Sequence, residues 1–105
     1  MNHILESFQK SYLKGLAHSL EPIVHIGKQG ITPGFLVFTN HALDDHELIK
    51  IKFLDFKDQK KSLAIEIAKQ TGSLVVSIIG NNLILFRQNS DEENRKISIP
   101  HKKIN

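Results

Sequence analysis

The chain has 105 residues, 40% hydrophobic and 24% charged, which is the size and composition of one globular domain, so residues 1–105 are read as a single unit. Cysteine is absent, excluding disulfide scaffolds, zinc ribbons, thiol catalysis and iron–sulfur sites together. No apolar run approaches the ~20 residues that span a bilayer, and the N-terminus has no signal-peptide h-region, so a cytoplasmic protein with no membrane partner is expected. Lys and Arg outnumber Asp and Glu by 14 to 11, for a net charge of +3 and a pI of 9.3, a mild bias toward a polyanionic partner.

Leu5, Phe8, Tyr12, Leu16 and Leu20 recur at steps of three and four, predicting one apolar helical face that continues until Pro22 stops it. Gly15 inside this helix costs about 1 kcal/mol against Ala, which suggests a close contact that requires it. Ile23-Val24-His25-Ile26 reads as a short β-branched strand leading into Gly27-Lys28-Gln29-Gly30. Thr32 followed by Pro33 marks a helix start, with a capping hydroxyl and then proline in the first turn. Phe35, Phe38, Thr39, Ala42 and Leu43 carry that helix to Asp44-Asp45-His46.

From Glu47 to Phe53 the pattern alternates, so Ile49, Ile51 and Phe53 share a core face and leave Lys50 and Lys52 on the other. Leu63, Ala64, Ile67, Ala68 and Thr71 predict a third helix closed by Gly72. The run from Leu74 to Ile79 reads as a strand covered on both faces. After the turn Gly80-Asn81-Asn82, Leu83 to Arg87 returns as its partner. Residues 89–96 are polar and predict a mobile loop, and Ile97 and Ile99 a short last strand. The fold class is therefore α/β: a single α-β-α-β-α-β-β domain with a mixed four-stranded sheet and helices packed on it. Parallel crossovers precede one closing hairpin.

The loop Gly27-Lys28-Gln29-Gly30 carries the strongest chemical signal. Glycines at both ends let a backbone approach a bulky ligand, Lys28 supplies charge at the tip, and the following helix offers unpaired N–H groups and the positive end of its dipole. KH domains clamp a nucleic-acid backbone with such a GXXG loop, although theirs joins two helices and this one joins a strand to a helix. On spacing alone a plain turn is the commoner outcome, because two glycines three apart recur widely. Neither a Walker A loop nor a full dinucleotide fingerprint is present. His41 and His46 lie about 140° apart on a helix and Asp44 and Asp45 diverge, so no metal site is expected there. No G-x-S-x-G elbow or paired-carboxylate arrangement stands out, and neither catalytic residues, a cofactor nor a small-molecule substrate is expected. Lys10 and Lys14 share a helix face. Lys50 and Lys52 share the outer side of their strand, and Lys57, Lys60 and Lys61 open the third helix. Each of these lysines also fits an ordinary solvated surface.

The run over residues 13–52 resembles the CRM (chloroplast RNA splicing and ribosome maturation) domain family, whose bacterial stand-alone members are of the YhbY type. The likeness rests on Leu16-Ala17-His18-Ser19-Leu20-Glu21-Pro22-Ile23-Val24, Ile26-Gly27-Lys28-Gln29-Gly30-Ile31-Thr32, Ala42-Leu43 and His46-Glu47-Leu48-Ile49-Lys50-Ile51-Lys52. Thr71-Gly72, Ile79-Gly80, Leu85-Phe86-Arg87 and Ile97 to Pro100 extend it over nearly the whole chain. Phe86 stands where the family commonly has Tyr, and Lys14 where Arg is common. The resemblance implies a fold like the C-terminal domain of translation initiation factor three. It also implies an RNA-binding protein of ribosome assembly, bound to large-subunit rRNA in pre-ribosomal particles; separately, a monomer is expected. The expected RNA-binding residues are Gly27, Lys28, Gln29, Gly30 and Thr32, with Lys10, Lys14, Lys50 and Lys52 as basic surface. A protein–protein adaptor with an incidental basic face is the alternative.

Overall fold

The computed structural model describes residues 5–101; residues 1–4 and 102–105, the ends of the predicted unit, lie outside the described residues. Its elements are α1 (Ser7–Ala17), β1 (Val24–Ile26), α2 (Pro33–His46), β2 (Leu48–Phe53), α3 (Lys60–Thr71), β3 (Leu74–Ile79) and β4 (Asn82–Phe86), with 3-10 turns at Lys57–Gln59 and Glu92–Asn94. The capping signals act where they were read. The Thr32 hydroxyl accepts the Phe35 N–H at 3.0 Å, with Pro33 following it into the first turn of α2. Gly72 closes α3 in the left-handed region, φ 63°, and returns its N–H to the Ala68 carbonyl.

The four strands form one mixed sheet in the order β1-β2-β4-β3. β1 and β2 pair in parallel, with α2 as their crossover, and β4 runs antiparallel to both of its neighbours. β2 and β3 thus point the same way, as the alternation of strands and helices implied, but the returning hairpin strand lies between them. Helices cover both faces. α2 and α3 pack on the side bearing Ile49, Ile51, Phe53, Leu83 and Leu85. α1 packs on the opposite side, over Leu48, Val76, Ile84 and Phe86. Full burial of each such large side chain contributes about 1.5–3 kcal/mol.

Several expectations are corrected. The buried stripe of α1 runs through Leu13 and Ala17, both fully buried, whereas Tyr12, Leu16 and Leu20 are each about two-fifths exposed. The true stripe follows the i, i+4 row from Leu5 through Gln9. That glutamine disguised it, because its amide is used to hold the Pro100 carbonyl at 3.1 Å. The helix also ends at Ala17, short of Pro22: the Leu20 N–H turns back to the Ala17 carbonyl at 3.0 Å. Gly15 has no close contact, since a Cβ there would meet nothing within 4 Å.

The strand covered on both faces is β4, in which Leu83 to Phe86 are all buried. β3 is an edge strand whose Ile79 is half exposed. Ile97 and Ile99 pack against the α1-side core without forming a strand. Glu47 lies outside β2. It sits in the left-handed region, φ 63°, and is completely buried. Its carboxylate accepts the backbone N–H groups of Asn89, of Lys96 at 2.7 Å and of Ile97 at 2.8 Å. One side chain therefore holds both ends of the polar segment 89–96.

Candidate nucleic-acid interface

β1 ends at Ile26 and α2 begins at Pro33, and the glycine loop fills the gap at the C-terminal end of a parallel strand pair. Residues 27–30 form a tight turn closed by the Gly30 N–H on the Gly27 carbonyl at 3.0 Å. Lys28 and Gln29 are exposed at its tip, and their N–H groups have no hydrogen-bond partner among the described residues. The N-terminus of α2, a 14-residue helix, adds its positive dipole end to the same corner.

The two glycines do different work. Gly30 holds φ 68°, a conformation that side chains rarely adopt, and a Cβ there would contact the Phe56 ring at 3.5 Å. The fold itself requires it. Gly27 is not left-handed, and a Cβ there would meet nothing within 4 Å. Nothing inside the molecule accounts for glycine at position 27, so the open approach it leaves is available to something outside.

A shallow groove of about 550 Å³ runs from this turn between the outer edge of β1 and α2, with Gly27, Lys28, Gln29, Gly30 and Thr32 on its wall. The Thr32 hydroxyl oxygen is occupied as a helix cap. Lys52 is exposed on the α1 side of the sheet, directly across from His25, which lines the groove. These two residues form a basic step beside the turn. Lys50, one pleat away, is half-buried and donates to the Leu20 carbonyl at 2.9 Å and the His18 carbonyl at 3.4 Å. It serves the frayed end of α1. Lys10 and Lys14 are exposed on α1, beneath the sheet, and do not line the groove. The structure thus brings Gly27, Lys28, Gln29, Gly30 and Thr32 together on one groove wall, with Lys52 on the neighbouring strand opposite His25, whereas Lys10, Lys14 and Lys50 do not line the groove.

Sequence reasoning took His25 for a local hydrogen-bonding residue at the first strand, and Ile23 and Phe38 for strand and helix residues, and placed none of them at the site. Phe38 is 57% exposed although it recurs at core spacing with Phe35. The alternation Ile23-Val24-His25-Ile26 carried a signal for His25, since it turns His25 away from buried Val24 and Ile26. Arg87 is spent on structure: its guanidinium donates to the Asn40 side chain and the Thr71 carbonyl, both at 2.6 Å, to the Asn40 carbonyl at 3.0 Å and to Asp44 at 2.8 Å. That bond occupies one of the carboxylates in the His41–His46 segment. Among the described residues no cluster of three or more His, Asp or Glu is arranged to hold a metal.

Comparison with known proteins agrees in extent with the folded region. Residues 5–87 match the family model of the CRS1 / YhbY (CRM) domain. An "RNA-binding protein" of Haemophilus influenzae is 41% identical over 99 residues, covering 93% of this chain and 97% of its own. "Probable RNA-binding protein YqeI" of Bacillus subtilis is 33% identical over 98 residues, covering 92% of this chain and all of its own. Among solved structures, a Staphylococcus aureus protein described as a candidate RNA-binding protein superposes with a TM-score of 0.75 at 34% identity, over 92% of this chain and 100% of its own.

Proposed function

The chain belongs to the CRS1 / YhbY (CRM) domain family, and from that premise we propose that it is a monomeric cytoplasmic RNA-binding protein. In this reading it attends the assembly of the large ribosomal subunit and holds rRNA backbone at the turn of residues 27–30. The observation that carries this is the asymmetry of the two glycines: Gly30 is needed by the fold, and Gly27 keeps open a path to the unpaired N–H groups of Lys28 and Gln29. A phosphate seated there would meet backbone donors, the Lys28 ammonium and the N-terminus of α2 together, which is how helix starts hold anions. Lys52 and His25 would extend the contact along the adjoining strands.

The test is fluorescence anisotropy with a large-subunit rRNA fragment over a range of salt. Lys28→Ala is expected to weaken binding about equally across sequences and to lower the salt slope by roughly 0.7–0.9, one phosphate contact. Gly27→Asp is expected to fold normally, since its Cβ has room, and to lose more affinity by setting a carboxylate against phosphate. If both variants fold and bind with the wild-type affinity and slope, the turn is only a turn and this reading fails. The adaptor alternative has in its favour the exposed apolar residues Tyr12 and Leu16 on α1 and Leu20 just beyond its end. It predicts a protein contact that is lost on Leu16→Asp and indifferent to salt.

A further inference from the structure

Three features meet in the groove beside the turn, and together they bear on the kind of RNA that would fit it. The first is a free sheet edge. β1 is the outermost strand, bonded only to β2 within the sheet. The Ile26 carbonyl faces β2, accepting the N–H groups of Leu54 at 2.9 Å and Asp55 at 3.2 Å. In a parallel ladder successive residues alternate sides, so the N–H and C=O of His25 face outward into the groove. They have no partner among the described residues.

The second feature is an aromatic face. Phe38 lines the groove at 57% exposure, beside half-buried Phe35 and with Ile23, 40% exposed, at the strand side. Phe38 stands six residues past the Thr32 cap, about 9 Å along α2 from the turn. The third feature is the cationic turn itself, with Lys28 and its open N–H groups. The volume, about 550 Å³, falls in the usual range for a small-ligand cleft.

We infer that this groove takes unpaired nucleotides, so that the RNA recognised is a single-stranded segment and not a duplex. This rests on the phosphate-holding turn proposed above and adds what lies next to the phosphate. An unpaired base offers what the groove complements: a π-face for Phe38, and in-plane donors and acceptors for the outward N–H and C=O of His25. In an A-form duplex those faces are stacked and the pairing edges are occupied, and its deep, narrow major groove admits no side chain. A backbone edge reads the donor–acceptor pattern of a base while Phe38 stacks on any base, so modest base preference with strong strand preference is expected.

The experiment uses the full chain and two probes, a short unstructured oligoribonucleotide and the same sequence annealed to its complement, titrated into wild type, Phe38→Ala, Phe38→Trp and Lys28→Ala. Wild type is expected to prefer the single strand. Phe38→Ala is expected to weaken single-strand binding about 5- to 150-fold, the range for one lost stacking contact, with duplex binding changed less than about twofold. Phe38→Trp is expected to retain or tighten it. Phe38 is exposed, so these variants are expected to fold, and thermal melting of each checks it. If the duplex binds wild type as well as the single strand, or if folded Phe38→Ala binds the single strand like wild type while Lys28→Ala weakens both probes, the groove inference falls and the backbone clamp stands. If Lys28→Ala leaves both probes unaffected as well, or wild type binds neither probe, the clamp falls with it.

Discussion

Replacing Glu47 by glutamine tests how the polar segment 89–96 is held. The carboxylate is fully buried, and all three of its protein partners are backbone N–H donors. Glutamine keeps the shape and the left-handed backbone, so any strain at φ 63° cancels in the comparison. It cannot keep the acceptors. With its oxygen turned to Lys96 and Ile97, its NH2 group faces the Asn89 N–H, donor against donor. One orphaned donor costs about 1–3 kcal/mol, and two bonds falling from a charged to a neutral acceptor cost about 1 kcal/mol each. Asn89 is half-buried and Lys96 exposed, so water replaces part of this. About 2–3 kcal/mol then remains as net destabilisation. At roughly 4–8 °C per kcal/mol for a domain of this size, the Tm falls by about 8–24 °C. Urea denaturation measures the free energy, and amide exchange at Asn89, Lys96 and Ile97 locates it. A loss under about 0.5 kcal/mol with unchanged exchange at those amides would refute the view that Glu47 fastens the segment.

Three other outcomes follow from the packing. Leu13→Ala is expected to cost about 2–5 kcal/mol in urea denaturation and Leu16→Ala less than about 1 kcal/mol; the reverse order would restore the stripe read from periodicity. Gly15→Ala, with open space for its methyl group, is expected to raise stability by about 0.5–1 kcal/mol, and a loss in thermal melting would reveal a contact at that position. Arg87→Ala is expected to cost about 2–4 kcal/mol because it strips four acceptors on α2 and α3, whereas Asp44→Ala, whose carboxylate is 69% exposed, costs less than about 1 kcal/mol; equal losses would mean that the surface ion pair matters and the half-buried carbonyl contacts do not.

What could be read from the chain alone was whatever depends on near neighbours. The Thr32-Pro33 start, the Gly72 stop and the alternation of β2 are decided within a few residues, and each appears as read. The α1 stripe could not be read this way. Its burial is set by the sheet and by a carbonyl 91 positions away, and a glutamine on the buried row looks polar until its partner is known. The runs of β3 and β4 are both apolar, and only pairing with β2 decides which becomes central. At the candidate site the turn was legible because its glycines lie only three positions apart in the sequence. The exposure of Phe38 was not, because helical spacing gives the face and not what covers it. Nor was Glu47, whose three partners come from a segment more than 40 residues on.

The place of β4 has a consequence for how the chain is completed. β2 cannot be flanked on its second side until residue 86 exists, since the strand that lies there is the last one made. While the protein is being synthesised, β1, α2 and β2 can assemble into a parallel pair, but the row of β2 backbone groups facing β4 stays bare, open to any other strand that meets it. The β3–β4 hairpin, closed by two residues with Gly80 at φ 59°, is the local unit that ends this exposure, forming in about 1–10 μs once both arms are free. A nascent chain halted before β4 would therefore carry the turn of residues 27–30 on a sheet that is still unfinished.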